Sequence, residues 1–286
     1  MFEIQIVIKE MDKMSFIKKK SSNLFYLVFL VLSLLIASCE EVIEVGLNSS
    51  KPVIVAEGLI EQDSTGWVKL SYSTDYFNMQ ESDYIENATV TLEDDIGNFE
   101  ILQHQGKGFY KGLTLKGQAH RQYLMHITGQ DFNISASSIL YPASTIYSLK
   151  FEESYFQHPG EMGKAYTAIL TFRDNPLTED YYMIKFWEND TLRDESYHLI
   201  KDSYYSRMDV IDYSSMRNRF EPGKKVIAKV YSIDKYTYSY YSQLNDLLES
   251  GMGDSSTPYN PKSNFGPPVM GYFSAYSYTS ASTIVK

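Results

Sequence analysis

Along most of the chain, hydrophobic and polar residues alternate within short runs that end at turn residues. The alternation is regular in four runs, Val68/Leu70/Tyr72, Ala88/Val90/Leu92, Tyr123/Met125/Ile127 and Val226/Ala228/Val230. Because successive side chains of a strand point to opposite faces, each run predicts an antiparallel strand with one buried and one exposed face. Strands at this spacing are typical of sandwiches and barrels, so the pattern predicts a mainly β fold.

Shorter β-branched and aromatic runs predict the remaining strands. These runs are 53–55, 134–141, 146–151, 167–172, 181–187 and 269–277. The segment Asp94–Asn98 separates two runs, and its Gly97 and Asn98 accept the positive φ that a hairpin turn needs. A calcium loop is the alternative, but an EF-hand-type loop needs alternating oxygen ligands and a distant Glu, which this segment lacks. We therefore predict a hairpin without a metal.

The strand pattern is interrupted at Pro142–Thr145, which predicts a boundary between two domains. Residues 53–141 have the size of an immunoglobulin-like β-sandwich of about seven strands. Residues 146–286 are expected to form a second β-sandwich-like domain, with an irregular Tyr-rich stretch between 190 and 220.

One amphipathic helix is predicted in the second domain, at about 234–250. Asp234 can cap its N-terminus, and Gly251 supplies a C-terminal stop. We expect its apolar stripe to pack on a sheet, while a ligand groove lined by its tyrosines is the alternative. The stripe consists of Tyr236, Tyr240, Leu244, Leu247 and Leu248.

The first 38 residues have the three parts of a secretory leader: the basic stretch Lys18–Lys20, the apolar stretch Leu24–Ile36, and the small residues Ala37 and Ser38. The apolar stretch is shorter than the roughly 20 residues that a membrane-spanning helix needs. Residues 1–13 precede the basic stretch, so Met14 is a candidate start.

Cys39 follows the leader directly and is the only cysteine in the chain. This is the place where a bacterial lipoprotein carries its lipid, and cysteine suits it because the thiolate is a strong nucleophile. Two or more acyl chains hold a protein firmly at a membrane, so residues 39–52 are predicted to be a lipid-anchored tether. A buried cysteine behind an uncleaved anchor is the alternative.

Glu40 and Glu41 follow the lipid site. The absence of an aspartate after Cys39 favours the outer membrane over the inner one, with the domains on its periplasmic or cell-surface face. Acidic residues at this place resemble the signal that exports lipoproteins to the cell surface in one Gram-negative phylum. A solvated charged tether explains them equally well.

Charge and motifs exclude several classes of function. Without the leader's five lysines and three acidic residues, 21 basic and 33 acidic residues remain, a formal charge of −12, which disfavours a nucleic-acid partner. Hydrolase, metalloprotease, phosphate-loop and dinucleotide motifs do not occur, so no catalytic residue and no cofactor is predicted. The dispersed histidines lack the spacing of a metal site. They are His104, His120, His126, His158 and His198.

Two weaker features remain open. The 25 tyrosines suit ordinary strands, in which tyrosine is a favoured residue, and a binding platform for proteins or sugars is the alternative. Asp63-Ser64-Thr65 and Asp190-Thr191-Leu192 resemble acceptor sequences for O-glycosylation of exported proteins, with Ser64 and Thr191 as the candidate acceptors. Common turn chemistry is the alternative for both tripeptides.

Several segments together, in their order and spacing, resemble the family of domain of unknown function 4249. They are Val53–Gly58, Ala88–Val90, Gly108–Tyr110, Asp174–Pro176 before Tyr181-Tyr182, Phe220–Gly223, Asn260-Pro261, Ser263-Asn264 and Gly271–Ser277. The resemblance implies an outer-membrane lipoprotein, often encoded beside TonB-dependent transporters, and it supplies no catalytic site.

Taken together, these features predict a non-catalytic, lipid-anchored accessory or binding protein of the outer membrane. Its expected partners are the membrane, through the lipid, a TonB-dependent transporter, and a glycan or peptide ligand. A glycan-binding protein or a glycoside hydrolase at the cell surface is the first alternative, because a hydrolase needs only two carboxylates that the fold brings together. A structural component of the envelope is the second.

Overall fold

The computed structural model describes residues 51–74, 83–153, 165–193, 197–205, 208–215, 219–250 and 259–286. Sixteen strands, numbered in chain order, lie in these ranges. The first eight are β1 (Ile54–Glu61), β2 (Thr65–Tyr72), β3 (Thr89–Asp94), β4 (Phe99–Ile101), β5 (Gln103–His104), β6 (Phe109–Lys116), β7 (Arg121–Thr128) and β8 (Asn133–Leu140). The others are β9 (Ile146–Glu153), β10 (Tyr166–Arg173), β11 (Tyr181–Glu188), β12 (Thr191–Leu192), β13 (His198–Lys201), β14 (Val210–Ser214), β15 (Lys225–Ile233) and β16 (Met270–Ile284). A 3-10 turn (Asp202–Tyr205) follows β13, and helix α1 (Lys235–Ser250) follows β15.

Nine strands form one large sheet in the order β12-β11-β15-β16-β1-β2-β6-β5, with β13 also paired to β11. The fifteen-residue strand β16 lies at its centre. Its first part, Met270–Tyr276, pairs in parallel with β1, and its second part, Ser277–Ile284, pairs antiparallel with β15. Strands from both halves of the chain therefore share one sheet.

Two smaller sheets pack against the inner face of the large sheet and enclose two cores. The sheet β4-β3-β7-β8 contributes Met125 to a core that also contains Val68 of β2. The sheet β14-β10-β9 contributes Phe172 to a second core that also contains Phe186 of β11. The fold is thus mainly β and sandwich-like, as the alternating pattern predicted.

The last strand contributes to both sandwiches. Phe273 and Ala275 of β16 are buried in the first core, whereas Val285, just after β16, is buried in the second. Ser50–Lys286 form one compact unit. The division into domains 53–141 and 146–286 stays a prediction, as does the immunoglobulin-like arrangement of the first. The shared strand was not expected from the sequence.

Helix α1 begins directly after Asp234, as predicted. Asp234 Oδ1 accepts a hydrogen bond from the Thr237 backbone N–H at 2.7 Å, which is the contact of a helix N-cap. Asp234 Oδ2 accepts two more hydrogen bonds, from Ser138 Oγ at 2.5 Å and from the Ile139 N–H at 3.2 Å. The cap therefore also fastens the helix to β8.

The prediction that the helix packs one face on a sheet is confirmed, and Tyr240 and Leu244 of the predicted stripe lie in that contact, but two other stripe residues do not. Tyr236 is 70% exposed and Leu248 is 44% exposed, whereas Thr237 and Tyr241 are buried and Leu244 is half-buried. The packed face thus overlaps the predicted stripe and also includes Thr237, Tyr238 and Tyr241. Tyrosine misled the pattern because it presents both apolar and polar surface and so occurs on either side of a helix.

Of two other local predictions, the structure confirms one and corrects the other. The hairpin at Asp94–Asn98 is confirmed, because Asp94 Oδ1 accepts hydrogen bonds from the Ile96 and Asn98 N–H groups, and Gly97 has a φ of 92°. The stretch 190–220 is less irregular than predicted, because β13 pairs with β11 and β14 pairs with β10. Strands this short carry too few alternations to be recognised.

Candidate functional site

The sequence analysis named a lipidation site, an export signal and two candidate O-glycosylation sites. Cys39, Glu40 and Glu41 lie outside the described residues, so lipidation and the export signal stay predictions. Ser64 is exposed in the turn between β1 and β2, and Thr191 is exposed at the start of β12. Both hydroxyl groups are on the surface, and their O-glycosylation stays a prediction.

The outer face of the large sheet carries aromatic and lysine side chains beside the second sandwich. On β11, Ile184 and Phe186 are buried in the second core, so the alternate residues Lys185 and Trp187 lie on the outer face. The same alternation on β15 places Lys229 and Tyr231 outside, between core residues. Helix α1 packs on this outer face and forms a third hydrophobic core there, which includes Tyr231, 6% exposed, and against which Trp187 also packs.

Cross-strand pairing brings these side chains together. Lys185 is directly paired with Lys229, and Tyr231 is directly paired with Tyr278 of β16. Directly paired residues project from the same side of a sheet, so these side chains form one surface. We call this surface the aromatic–lysine face, and it consists of Lys185, Trp187, Lys229, Tyr231 and Tyr278.

Each lysine of this face lies over aromatic rings. Lys229 Nζ is 4.3 Å from the ring centroid of Tyr278 and 5.0 Å from that of Trp187. Lys185 Nζ is 5.8 Å from the ring centroid of Tyr231. These are cation–π distances, which hold a long lysine side chain in place over the rings.

The two paired lysines also concentrate positive charge. Burial lowers the pKa of Lys185, the neighbouring Lys229 lowers it further, and Glu61 acts in the opposite direction. Directly opposed like charges destabilise a sheet. An anionic group placed over this pair would relieve that repulsion.

A second feature of the outer face lies on the other side of β16. Trp67 of β2 is paired with Leu59 of β1 and with Lys111 of β6, and its ring centroid is 5.7 Å from that of Phe109. Both tryptophans of the chain therefore lie on the same face of the large sheet. A pocket of about 410 Å³ opens beside this ring, and we call it the Trp67 pocket. It is lined by Glu61, Ser64, Thr65, Trp67, Lys111 and Lys116.

A third feature, a polar cavity of about 510 Å³, lies where β10, β11 and β15 meet the segment 141–145. We call it the aspartate cavity. It is lined by His120, Tyr141, Pro142, Ala143, Ser144, Thr145, Arg173, Asp174, Asn175, Thr178, Asp180, Tyr181, Tyr182, Ser232 and Ile233. Most of these side chains can form hydrogen bonds, which makes the cavity suitable for a polar ligand.

The two carboxyl groups that line the aspartate cavity, those of Asp174 and Asp180, have raised pKa values. Burial raises the pKa of Asp174, the hydrogen bond from the Tyr182 hydroxyl at 2.7 Å lowers it, and the charge of Asp202 raises it again. Burial likewise raises the pKa of Asp180, while a hydrogen bond from Thr178 lowers it and the two other aspartates add to the rise. Raised carboxyl pKa values in a cavity are a feature of functional sites, although structural groups show them too.

None of the three features was predicted as a site. A signal for the aromatic–lysine face does exist in the sequence, because Lys185 and Trp187 alternate with core residues at positions where polar residues are usual. The aspartates gave no signal, since acidic residues are frequent along the whole chain.

The histidines form no metal site in the structure's described ranges. His104 and His120 are exposed, His126 and His198 are half-buried, and His158 lies outside these ranges. Among the described residues, no group of three His, Cys, Asp or Glu side chains could hold a metal ion. The same part of the chain also has no helix long and apolar enough to span a membrane.

Comparison with known proteins identifies a family for the chain. A search of curated proteins finds no match. Residues 40–282 match the model of a family described as a domain of unknown function, DUF4249. The matched region begins directly after Cys39 and includes every residue that forms the three features. The chain therefore belongs to the DUF4249 family.

Proposed function

We propose that the protein is a non-catalytic, lipid-anchored binding protein of the outer membrane that docks a TonB-dependent transporter through its aromatic–lysine face. The observation that carries the proposal is the pair of lysines on the outer face of the sheet. Lys229 is held over the accessible rings of Trp187 and Tyr278, and Lys185 over Tyr231, which is 6% exposed. The leader and Cys39 support the anchoring half of the proposal.

The composition of the face suits protein recognition. Large rings bury much area at a low entropic cost, and tryptophan and tyrosine are enriched among the residues that dominate interface energies. Trp187 is half-buried and Tyr278 is 39% exposed, so both are fixed by packing and still accessible. The face carries two paired lysines on a protein whose net charge is negative, which favours an acidic group on the partner.

The test is affinity purification of the tagged, lipidated protein from native outer membranes, with mass spectrometry of what is recovered. We expect stoichiometric recovery of a TonB-dependent transporter with the wild type, and loss of most of it with the double variant Trp187→Ala, Lys229→Ala. Phe99→Ala is the matched control, because Phe99 is 68% exposed on β4, in a different sheet. Circular dichroism of each variant shows whether the fold is retained. Recovery of the protein alone, or equal recovery with the double variant, would contradict the docking proposal.

The anchor has its own test. Cys39→Ala should abolish metabolic labelling with a fatty-acid analogue and release the protein from membranes, because no other thiol in the chain can form the thioether. A protein that remains labelled would overturn the lipoprotein assignment, whatever the purification shows.

Glycan binding is the second candidate function, and the Trp67 pocket supports it. A tryptophan ring beside Lys111, Lys116 and Glu61 combines a stacking platform with hydrogen-bonding groups, which suits a sugar with an acidic substituent. Binding of outer-membrane glycans that Trp67→Ala abolishes, together with purification of the protein without a transporter, would favour this function. Hydrolysis of such a glycan would make the protein an enzyme.

A further inference from the structure

The aspartate cavity has a buried end and an exposed end. Asp174 and Ser232, which line it, are 3% and 5% exposed, whereas Asn175 and Thr178 are exposed and Asp180 is half-buried. A small ligand can therefore meet solvent-accessible groups first and buried groups last. The cavity volume of about 510 Å³ is in the range of small-molecule sites.

The buried end carries side-chain oxygens that form no hydrogen bond within the described residues. They are Asp174 Oδ2 and Ser232 Oγ, both of residues that line the cavity. Asp202 does not line the cavity, and its Oδ1 is likewise buried without a partner. Asp202 is 2% exposed, and its N–H donates to the Asp180 carbonyl at 3.1 Å. Buried polar atoms are nearly always hydrogen-bonded, so unpaired carboxylate oxygens need a hydrogen-bond donor.

The charges of the cavity favour a cationic donor. Asp174, Asp180 and Asp202 repel one another, and Asp209 adds to the negative potential at Asp174. The basic residues that line the cavity, His120 and Arg173, are exposed and so lie towards solvent. The interior of the cavity is therefore negative.

Aromatic rings complete the arrangement. Tyr141, Tyr181 and Tyr182 line the cavity, and the Tyr182 hydroxyl donates to Asp174 Oδ1, which leaves Oδ2 of the same carboxylate as the acceptor without a partner. Aromatic faces attract ammonium groups, and a carboxylate beside them supplies the countercharge. A metal ion is a poorer candidate, because no group of three metal-ligating side chains occurs among the described residues.

We propose that the aspartate cavity binds an organic ammonium group, supplied by a free amine or by a lysine side chain of a peptide. Asp174 and Asp180 accept its hydrogen bonds, and Tyr141, which lines the cavity and is 38% exposed, contacts its alkyl part. This site goes beyond the docking function proposed above and does not depend on the aromatic–lysine face.

The test is calorimetric titration of the full-length, detergent-solubilised lipoprotein with two cationic probes and their neutral counterparts. Cadaverine is compared with 1,5-pentanediol, and the peptide acetyl-Gly-Lys-Gly-amide with its norleucine analogue. We expect at least one cation to bind at least about tenfold more tightly than its neutral counterpart, because a buried carboxylate favours a charged donor. Binding of cadaverine alone indicates a free amine as the ligand, and binding of the peptide alone indicates a lysine side chain.

Variants test whether the cationic probes bind in the aspartate cavity. Asp180→Asn should weaken binding of the cation by about tenfold or more, whereas Asp131→Asn, which removes the same charge from an exposed loop, should leave it unchanged. Asp174→Asn is the second variant, since an amide oxygen can still accept the Tyr182 hydrogen bond and preserve the fold. Equal binding of the neutral counterparts would show that the site does not recognise the positive charge and would overturn the proposal. Absence of binding by every probe, or unchanged binding in both cavity variants, would overturn it as well.

Discussion

Replacement of Asp234 by alanine should destabilise the protein far more than loss of an ordinary helix cap. The cap itself, the hydrogen bond from the Thr237 N–H to Asp234 Oδ1, is worth about 1 kcal/mol. Asp234 Oδ2 additionally accepts hydrogen bonds from the Ser138 hydroxyl and the Ile139 N–H. Each of these groups would lose a buried acceptor, at a cost of about 1–3 kcal/mol.

The expected total for Asp234→Ala is therefore about 3–7 kcal/mol of unfolding free energy. Asp234→Asn should lose about 1–2 kcal/mol, because one amide oxygen can retain the cap while the amide nitrogen cannot accept a bond from Ile139. The graded order, alanine below asparagine below wild type, follows from the two separate roles of the carboxylate oxygens.

Urea denaturation followed by tryptophan fluorescence measures these differences. Asp212→Ala is the control, because Asp212 is exposed and accepts a single hydrogen bond from Thr171 Oγ1, so its loss should cost less than about 1 kcal/mol. A loss below about 1 kcal/mol for Asp234→Ala would refute the reasoning. It would mean that the contacts with β8 contribute nothing beyond the cap.

Two further predictions concern single residues that fix local backbone geometry. Glu100 accepts hydrogen bonds from the backbone N–H groups of 113–115; burial raises its pKa, but these bonds outweigh burial and lower it below 4.5. Glu100→Gln should therefore cost about 1–2 kcal/mol of unfolding free energy at neutral pH. The difference from wild type, measured by urea denaturation at a series of pH values, should disappear as the pH falls through the lowered pKa of Glu100. A difference that persists below this pKa would contradict the role of the charge. Gly271→Ala should cost about 2–5 kcal/mol in the same assay, because Gly271 has a φ of 86° and an added Cβ would lie 2.2 Å from the Ala56 carbonyl oxygen. Gly97→Ala, with a φ of 92° and open space around it, should cost only the backbone strain of about 1 kcal/mol, and equal losses in the two variants would contradict the steric explanation.

The sequence predicted individual strands well because most of them are buried on one face only. Alternation such as that of Val226, Ala228 and Val230 reports directly on a core side and a solvent side. The alternation does not show which strands lie next to each other in a sheet. For this reason the parallel pairing of β16 with β1, more than 200 residues apart in the chain, was not predicted. Partner choice depends on packing between distant segments, which a local pattern does not contain.

The candidate sites differ in how far the sequence could have indicated them. Lys229 and Tyr231 occupy the outward positions of β15, so an unusual outer face was visible in the alternation. Asp174, Asp180 and Asp202 become neighbours only through the ends of different strands and the turn after β13. The spacing of these three aspartates in the sequence does not predict that they lie close together, because acidic residues are common along the chain.

The shared strand β16 has a consequence for how the proposed binding surfaces act together. Tyr278 belongs to the aromatic–lysine face, and Tyr276 is paired with Glu61, which lines the Trp67 pocket. Both surfaces therefore lie on one hydrogen-bonded sheet, and a hinge between the two sandwiches would have to break the pairing of β16 with β1 or with β15. A partner that covers the aromatic–lysine face consequently meets the Trp67 pocket in a fixed orientation. The arrangement favours a single extended interface over two modules that bind independently.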